Sequence, residues 1–230
     1  MRPDNLFRME LLEDLRRKGP LALKLVLPIV LVTPLTLDRV STTFRVDGLP
    51  LIVLFLGVLG SSVGLTRLRE RGLLERMSAL PVRRSKLVMD YLMANTAMDA
   101  IQIIAPFTIL AISFRLHMDS LALAAVGLAV CLVLANTLGV LVAMAAGGSG
   151  EVHLYSGICV LGVAGLSGLF FGGSSPMIDS ISNILPFGVL ASGLSQTATD
   201  AAVGPIIASV FATALLMALA AFGSSRLFRR

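Results

Sequence analysis

Four stretches of this chain, residues 48–66, 120–150, 154–178 and 201–225, contain no Asp, Glu, Lys, Arg or His. Each exceeds the roughly 18 residues that read as a membrane span. Lipid offers no partner to a peptide group, so a chain that crosses it must satisfy its own N–H and C=O groups, as helices or a closed barrel. The runs lack the two-residue alternation of barrel strands and predict helices. The charge content agrees, at 14% of 230 residues against about 25% in soluble domains. The expectation is an all-α integral membrane protein, a single transmembrane domain over residues 1–230.

Six spans are predicted, at about 20–37, 48–66, 87–114, 121–145, 153–171 and 201–223. An even number puts both termini on one side. Fifteen of the nineteen Lys and Arg collect on that side, in the N-terminal segment, the loop 67–86 and the C-terminus. Only Arg39, Arg45 and Arg115 fall on the other side, and Lys24 lies just inside the first span, where it either snorkels or pairs with Asp90. Basic loops stay cytoplasmic, which places both termini in the cytoplasm and the chain in the cell membrane. The two tyrosines, Tyr91 and Tyr155, fall near cytoplasmic span ends, where an amphipathic ring is at home. The net charge of +5 then reflects lipid headgroups and topology, not nucleic acid. Cys131 and Cys159 lie in apolar runs without metal or redox spacing, and read as small buried hydrophobes. The mixed charges of the first eighteen residues do not make a signal peptide, so the first span is its own insertion signal.

Two segments on the cytoplasmic side carry a pattern. In 1–19, Phe7, Leu11, Leu12 and Leu15 set against Arg8, Arg16 and Arg17 predict an amphipathic interfacial helix, serving as an anchor or a partner site. The loop 67–86 reads RLRERGLLERMSALPVRRSK. Leu68, Leu73, Leu74, Met77 and Leu80 form an apolar stripe, which predicts a helix over 67–80 that ends before Pro81. Glu70 and Glu75 among the arginines point to a protein-docking surface, with a solvated connector as the plainer alternative.

The outer segment 172–200 is too long for a turn. Ser174, Ser175 and Pro176 start a helix carrying Ile178, Ile181, Ile184 and Leu185. Pro186 breaks it, and Phe187, Leu190 and Leu194 continue a second apolar face. Each piece spans roughly 15 Å, half a bilayer, so the segment forms two short re-entrant helices or a surface-lying hairpin. In the third span Asn95, Asp99 and Gln102 recur at i, i+4 and i+7 on one helix face, and Asn136 of the fourth span reaches a similar depth. A carboxylate at the depth of Asp99 costs about 2.5–3.5 kcal/mol on insertion scales, so it faces protein or water. These four residues either line a translocation path or hydrogen-bond between helices. Gly162, Gly165, Gly168, Gly172 and Gly173 predict close packing of the fifth span, within the chain or across a dimer. His117 and His153 have no metal-ligand partner at useful spacing. No nucleophile–base pair appears, so no catalytic residue is assigned.

The stretch GLLERMSALPVRRSKLVMDYL, residues 72–92, resembles the segment between the second and third spans of type-2 ABC transporter permeases. The matching positions are Gly72, Leu74, Glu75, Arg76, Met77 and Pro81, with Met77 where Leu is commoner. The interfacial helix, the six spans and the outer segment PMIDSISNILPFGVLASGL fit the same layout. The resemblance implies that the loop is a coupling helix on which a separate ATPase docks, through Glu70, Gly72, Leu74, Glu75, Arg76 and Met77. It further implies an exporter built from two permeases, this chain with a second copy or a similar one. The chain lacks a G-x-x-x-x-G-K-[ST] phosphate loop, so ATP and Mg²⁺ belong to the partner ATPase and this chain holds no cofactor. Gly147, Gly148 and Gly150 read as an inter-span turn. Haem exporters are a narrower possibility within the family, since they too are short with six spans. The rival from another class is an ion-coupled secondary transporter using Asp99.

The topology is testable by thiol labelling in a background lacking Cys131 and Cys159. A cysteine at Ser41 should react with an impermeant reagent from outside, and one at Ser78 only after permeabilisation. Outside labelling at position 78 in intact cells would overturn the orientation.

Overall fold

The computed structural model describes residues 18–36, 42–78, 83–169, 181–182, 185–195 and 203–224. Every element among them is a helix. In chain order these are α1 (Lys18–Val32) with a 3-10 turn (Thr33–Thr36), α2 (Thr42–Glu70), α3 (Leu73–Ser78), α4 (Arg84–Ser113), α5 (Met118–Ala145), α6 (Ser149–Leu166), α7 (Pro186–Leu194) and α8 (Val203–Gly223).

Five of these, α2, α4, α5, α6 and α8, are long and apolar enough to cross a membrane. The chain is thus a multi-pass helical membrane protein by length and composition. The first expected span is shorter than the rest. Its α-helix has 15 residues and gives way to the 3-10 turn at Thr33, beside Pro34, because the residue before a proline is pushed out of the α region. The expected interfacial helix and the first of the two outer helices lie largely outside the described residues.

At the end of α2 the structure departs from the expected 67–80 helix. Residues 67–70 complete the last turn of α2, and the chain breaks at Arg71 and Gly72 before α3 begins. Gly72 has φ +67° and donates its N–H to the Arg69 carbonyl at 2.9 Å. Only glycine adopts that conformation without steric cost, and it is the usual way to end a helix and redirect the chain.

The bundle is organised on α5, the most enclosed span. It packs chiefly on α2, then on α7, α8 and α4. The α2–α5 contact is made by small residues. A Cβ added at Gly57 would lie 2.6 Å from the Ala135 Cβ, and one at Gly139 would lie 2.6 Å from the Val58 carbonyl oxygen and 2.8 Å from the Ser61 Cβ. Gly57 and Ser61 on α2, and Ala135 and Gly139 on α5, each stand four residues apart, the spacing that brings two membrane helices into backbone contact. Gly127 performs the same service for α7, whose Leu190 Cα lies 3.0 Å from the position of its missing Cβ. Phe187, Leu190 and Leu194 of α7 are all buried, as the apolar face predicts.

Among the described residues, close packing is not seen at Gly157, Gly162 or Gly165 of the fifth span, and Gly172 and Gly173 lie outside those residues. Nothing lies within 4 Å of a Cβ placed at Gly157, Gly162 or Gly165 of α6. That helix packs through Val152, Ser156, Val160 and Ala164 instead, and leaves Leu154, Ile158 and Leu161 exposed.

Gly139→Ala and Gly162→Ala should therefore differ in sign. The first forces backbone apart and should cost roughly 1–3 kcal/mol, whereas the second should be neutral or slightly stabilising. Thermal melting of the detergent-solubilised protein, followed by size exclusion, measures both. Equal effects would mean that the α2–α5 contact is not tight.

Candidate functional site

Two places bring the predicted residues together. The first is a polar layer across the bundle. On α2, Val58 and Leu65 bracket Ser61 and Ser62, and on α5, Leu132 and Val140 bracket Asn136. On α4, Leu92 and Ile103 enclose Asn95, Asp99 and Gln102. Each of these apolar pairs belongs to two different hydrophobic clusters, so the layer divides the core into two apolar halves.

Within it the hydrogen bonds run in one direction. Asn95 Nδ2 donates to Ser61 Oγ at 2.8 Å, and Ser61 Oγ donates in turn to Asn136 Oδ1. Asn136 Nδ2 donates to Asp99 Oδ2 at 2.8 Å and to its own helix's Leu132 carbonyl at 2.9 Å. The series ends on the Asp99 carboxyl, and each bond in it polarises the next. Asn136 is completely buried, while Asp99 and Gln102 are 7% and 4% exposed. Through Asn95, Ser61, Asn136 and Asp99 these bonds tie α2, α4 and α5 together.

Three partners of the layer carry no sequence signal. Serine is inexpensive in an apolar helix, so Ser61, Ser62 and Ser156 pass unnoticed, yet Ser62 and Ser156 hydroxyls meet at 2.7 Å and tie α2 to α6. Tyr91 is no interfacial ring, being 5% exposed. Its hydroxyl donates to the Ser61 carbonyl at 3.2 Å, in space left by the missing side chain of Gly64. Tyr155, in contrast, is exposed.

The second place is the end of the bundle that carries α3. Of the six expected docking residues, Glu75 and Arg76 are exposed on α3. Leu74 is buried at 4% among Leu65, Val88, Tyr91 and Leu92. The apolar stripe thus turns toward the protein itself, with Leu68 and Leu73 half-buried. Gly72 serves as the backbone hinge. Glu70 is exposed but engaged, its Oε1 accepting from the Ser149 N–H at 2.8 Å. The Met77 side chain, Pro81 and the Lys24 side chain lie outside the described residues, and Asp90 is half-buried.

Of the glycine cluster expected to form a turn after α5, Gly147 and Gly148 do, whereas Gly150 lies in the first turn of α6. Ala146, Gly147 and Gly148 join α5 to α6, and Glu151 Oε2 accepts from the Gly147 N–H at 2.6 Å. His117 and His153 are exposed, and no group of three His, Cys, Asp or Glu suited to a metal occurs among the described residues.

No protein-family model matches the chain, and no curated protein or solved structure matches it. Fold and site together define a class only, a multi-pass helical membrane protein braced by a buried polar layer.

The layer predicts unequal effects at Asn136 and Asp99. Asn136→Ala removes a donor from Asp99 and an acceptor from Ser61, and should cost about 1–3 kcal/mol of stability. Asp99→Asn keeps an acceptor oxygen and should cost under about 1 kcal/mol. Detergent melting of both variants checks this, and a larger loss for Asp99→Asn would show that the charge and not the bonding matters.

Proposed function

We propose that this chain is the membrane subunit of an ATP-driven exporter of the type-2 ABC permease kind, coupled to a separate ATPase. The observation that carries the proposal is α3. It is a short helix set off from a long span by a left-handed glycine, and it presents Glu75 and Arg76 outward while anchoring Leu74 in the bundle. A loop that merely joined two spans would need no anchored helix. Inward pressure on α3 would pass through Leu74 into the packed ends of α2 and α4.

The proposal includes six spans with both termini cytoplasmic. The α1 helix and its 3-10 turn together measure about 30 Å, the thickness of the hydrocarbon core. It also includes a re-entrant outer segment. Leu190 of α7 meets Gly127, nine residues into α5 and about 14 Å from the start of that helix, which supports a re-entrant segment over a surface hairpin. A second permease copy would complete the channel, and ATP with Mg²⁺ would bind the ATPase. An ion-coupled secondary transporter would centre on Asp99 instead, but the bond from Asn136 gives Asp99 a bracing role inside the protomer.

The ATPase seat is tested by co-purification. Glu75→Lys should release the ATPase more completely than Glu75→Ala, because repulsion adds to the lost contact. Truncating one member of a desolvated charge pair costs about 2–5 kcal/mol, or roughly 30-fold or more in affinity. Full retention by Glu75→Lys, with coupled ATP hydrolysis, would reduce α3 to a connector.

A further inference from the structure

The Arg69–Glu70 dipeptide is the last pair of residues in α2, and its two side chains reach two different helix ends. Arg69 donates from Nη1 to the Ala143 carbonyl at 3.2 Å and from Nη2 to the Ala146 carbonyl at 2.8 Å, at the C-terminus of α5. Glu70 accepts from the Ser149 N–H, the first amide of α6. Helix ends leave such carbonyls and amides without intrahelical partners, and the helix dipole favours a cation at a C-terminus and an anion at an N-terminus. Each charge stands at the end that suits it.

The same division recurs deeper in the bundle. Ser61 bonds to α5 through Asn136, and the adjacent Ser62 bonds to α6 through Ser156. Asn136 lies seven residues before Ala143, and Ser156 lies seven after Ser149, about two helical turns in each case. The helix α2 is therefore tied to both α5 and α6 at two levels, by neighbouring residues each time.

We propose that Arg69 and Glu70 are a transmission clamp, which makes the α5–α6 turn move with the end of α2 and carries displacement at α3 into the buried polar layer. Two ties per helix pair prevent α5 and α6 from sliding along α2, so the three helices move as a unit. The link to α3 is short, since only Arg71 and Gly72 separate Glu70 from that helix. The use of the clamp in transport rests on the ATPase seat proposed above. The bracing itself is a property of this chain alone.

The test uses the full chain in detergent without any ATPase, so its outcome is independent of the docking experiment. Amide hydrogen exchange is followed at Ser149, and maleimide labelling is followed at Cys159 of α6 in a Cys131→Ala background. Glu70→Ala should speed exchange at Ser149 roughly tenfold, as expected for loss of one hydrogen bond. It should also change the Cys159 labelling rate several-fold, while Arg71→Glu, one residue beyond the clamp, changes neither. The combined variant Arg69→Glu with Glu70→Arg should be worse than Glu70→Ala, because both charges then oppose the helix ends they face. Should the combined variant fail to fold, Glu70→Gln keeps the acceptor oxygen without the charge and should fall between wild type and Glu70→Ala. Wild-type exchange in Glu70→Ala or Glu70→Gln, or restoration by the charge swap as in a simple ion pair, would overturn the proposal. Faster exchange with unchanged labelling at Cys159 would also overturn it, since the contact would then be a local cap that transmits nothing.

Discussion

The close approach of α2 and α5 is the contact on which the other helices depend. In a bilayer there is no hydrophobic gain from bringing apolar helices together, because lipid tails are as apolar as leucine. Association has to come from packing and from hydrogen bonds that lipid cannot supply. Gly57, Ala135 and Gly139 allow the packing, and the short distance they create lets Ser61 reach Asn136. Larger side chains at those glycines would hold the backbones apart and leave two buried polar groups without each other.

The hydrogen-bonded ties of the polar layer are placed relative to that pair. Asn95, Asp99 and Tyr91 attach α4 to it through Ser61 and Asn136, Ser62 attaches α6 through Ser156, and Gly127 seats α7 on α5. The outer faces of α6 and α8 are left apolar and exposed, with Leu161, Phe211 and Phe222 among the most exposed large hydrophobic residues. A lipid or a second permease suits such faces, and both belong to the proposed assembly. The polar groups are concentrated where three helices share them, so no single helix carries an unsatisfied carboxylate through the hydrocarbon.

The end of the bundle that bears α3 combines two kinds of charge. Arg69 and Glu70 serve helix termini within the chain, whereas Glu75 and Arg76 lie exposed on α3. The sequence motif does not distinguish them, since all four are charged residues in one basic loop. Their roles diverge at Gly72, where the left-handed turn separates the last turn of a span from a helix of six residues. Residues before the turn stabilise the bundle, and Glu75 and Arg76 after it are exposed on α3.

Membrane helices and their approximate limits were readable from the sequence because the cause is local. An uncharged run longer than a bilayer has few other ways to satisfy its backbone, and five apolar helices long enough to cross one overlap the predicted spans. The face shared by Asn95, Asp99 and Gln102 was readable for the same reason, as helical spacing follows from 3.6 residues per turn. Which glycines permit close contact was not readable. The second and fifth spans are equally rich in glycine, yet Gly57 and Gly139 make the contact while Gly162 and Gly165 face open space. Nor could the sequence show that Ser61 would bond to a residue 75 positions away, or that Glu70 would cap a helix 79 positions on. Those pairings depend on the relative rotation and height of whole helices. Only tertiary packing sets these, because each helix alone is equally stable in lipid whichever face it turns to its neighbours.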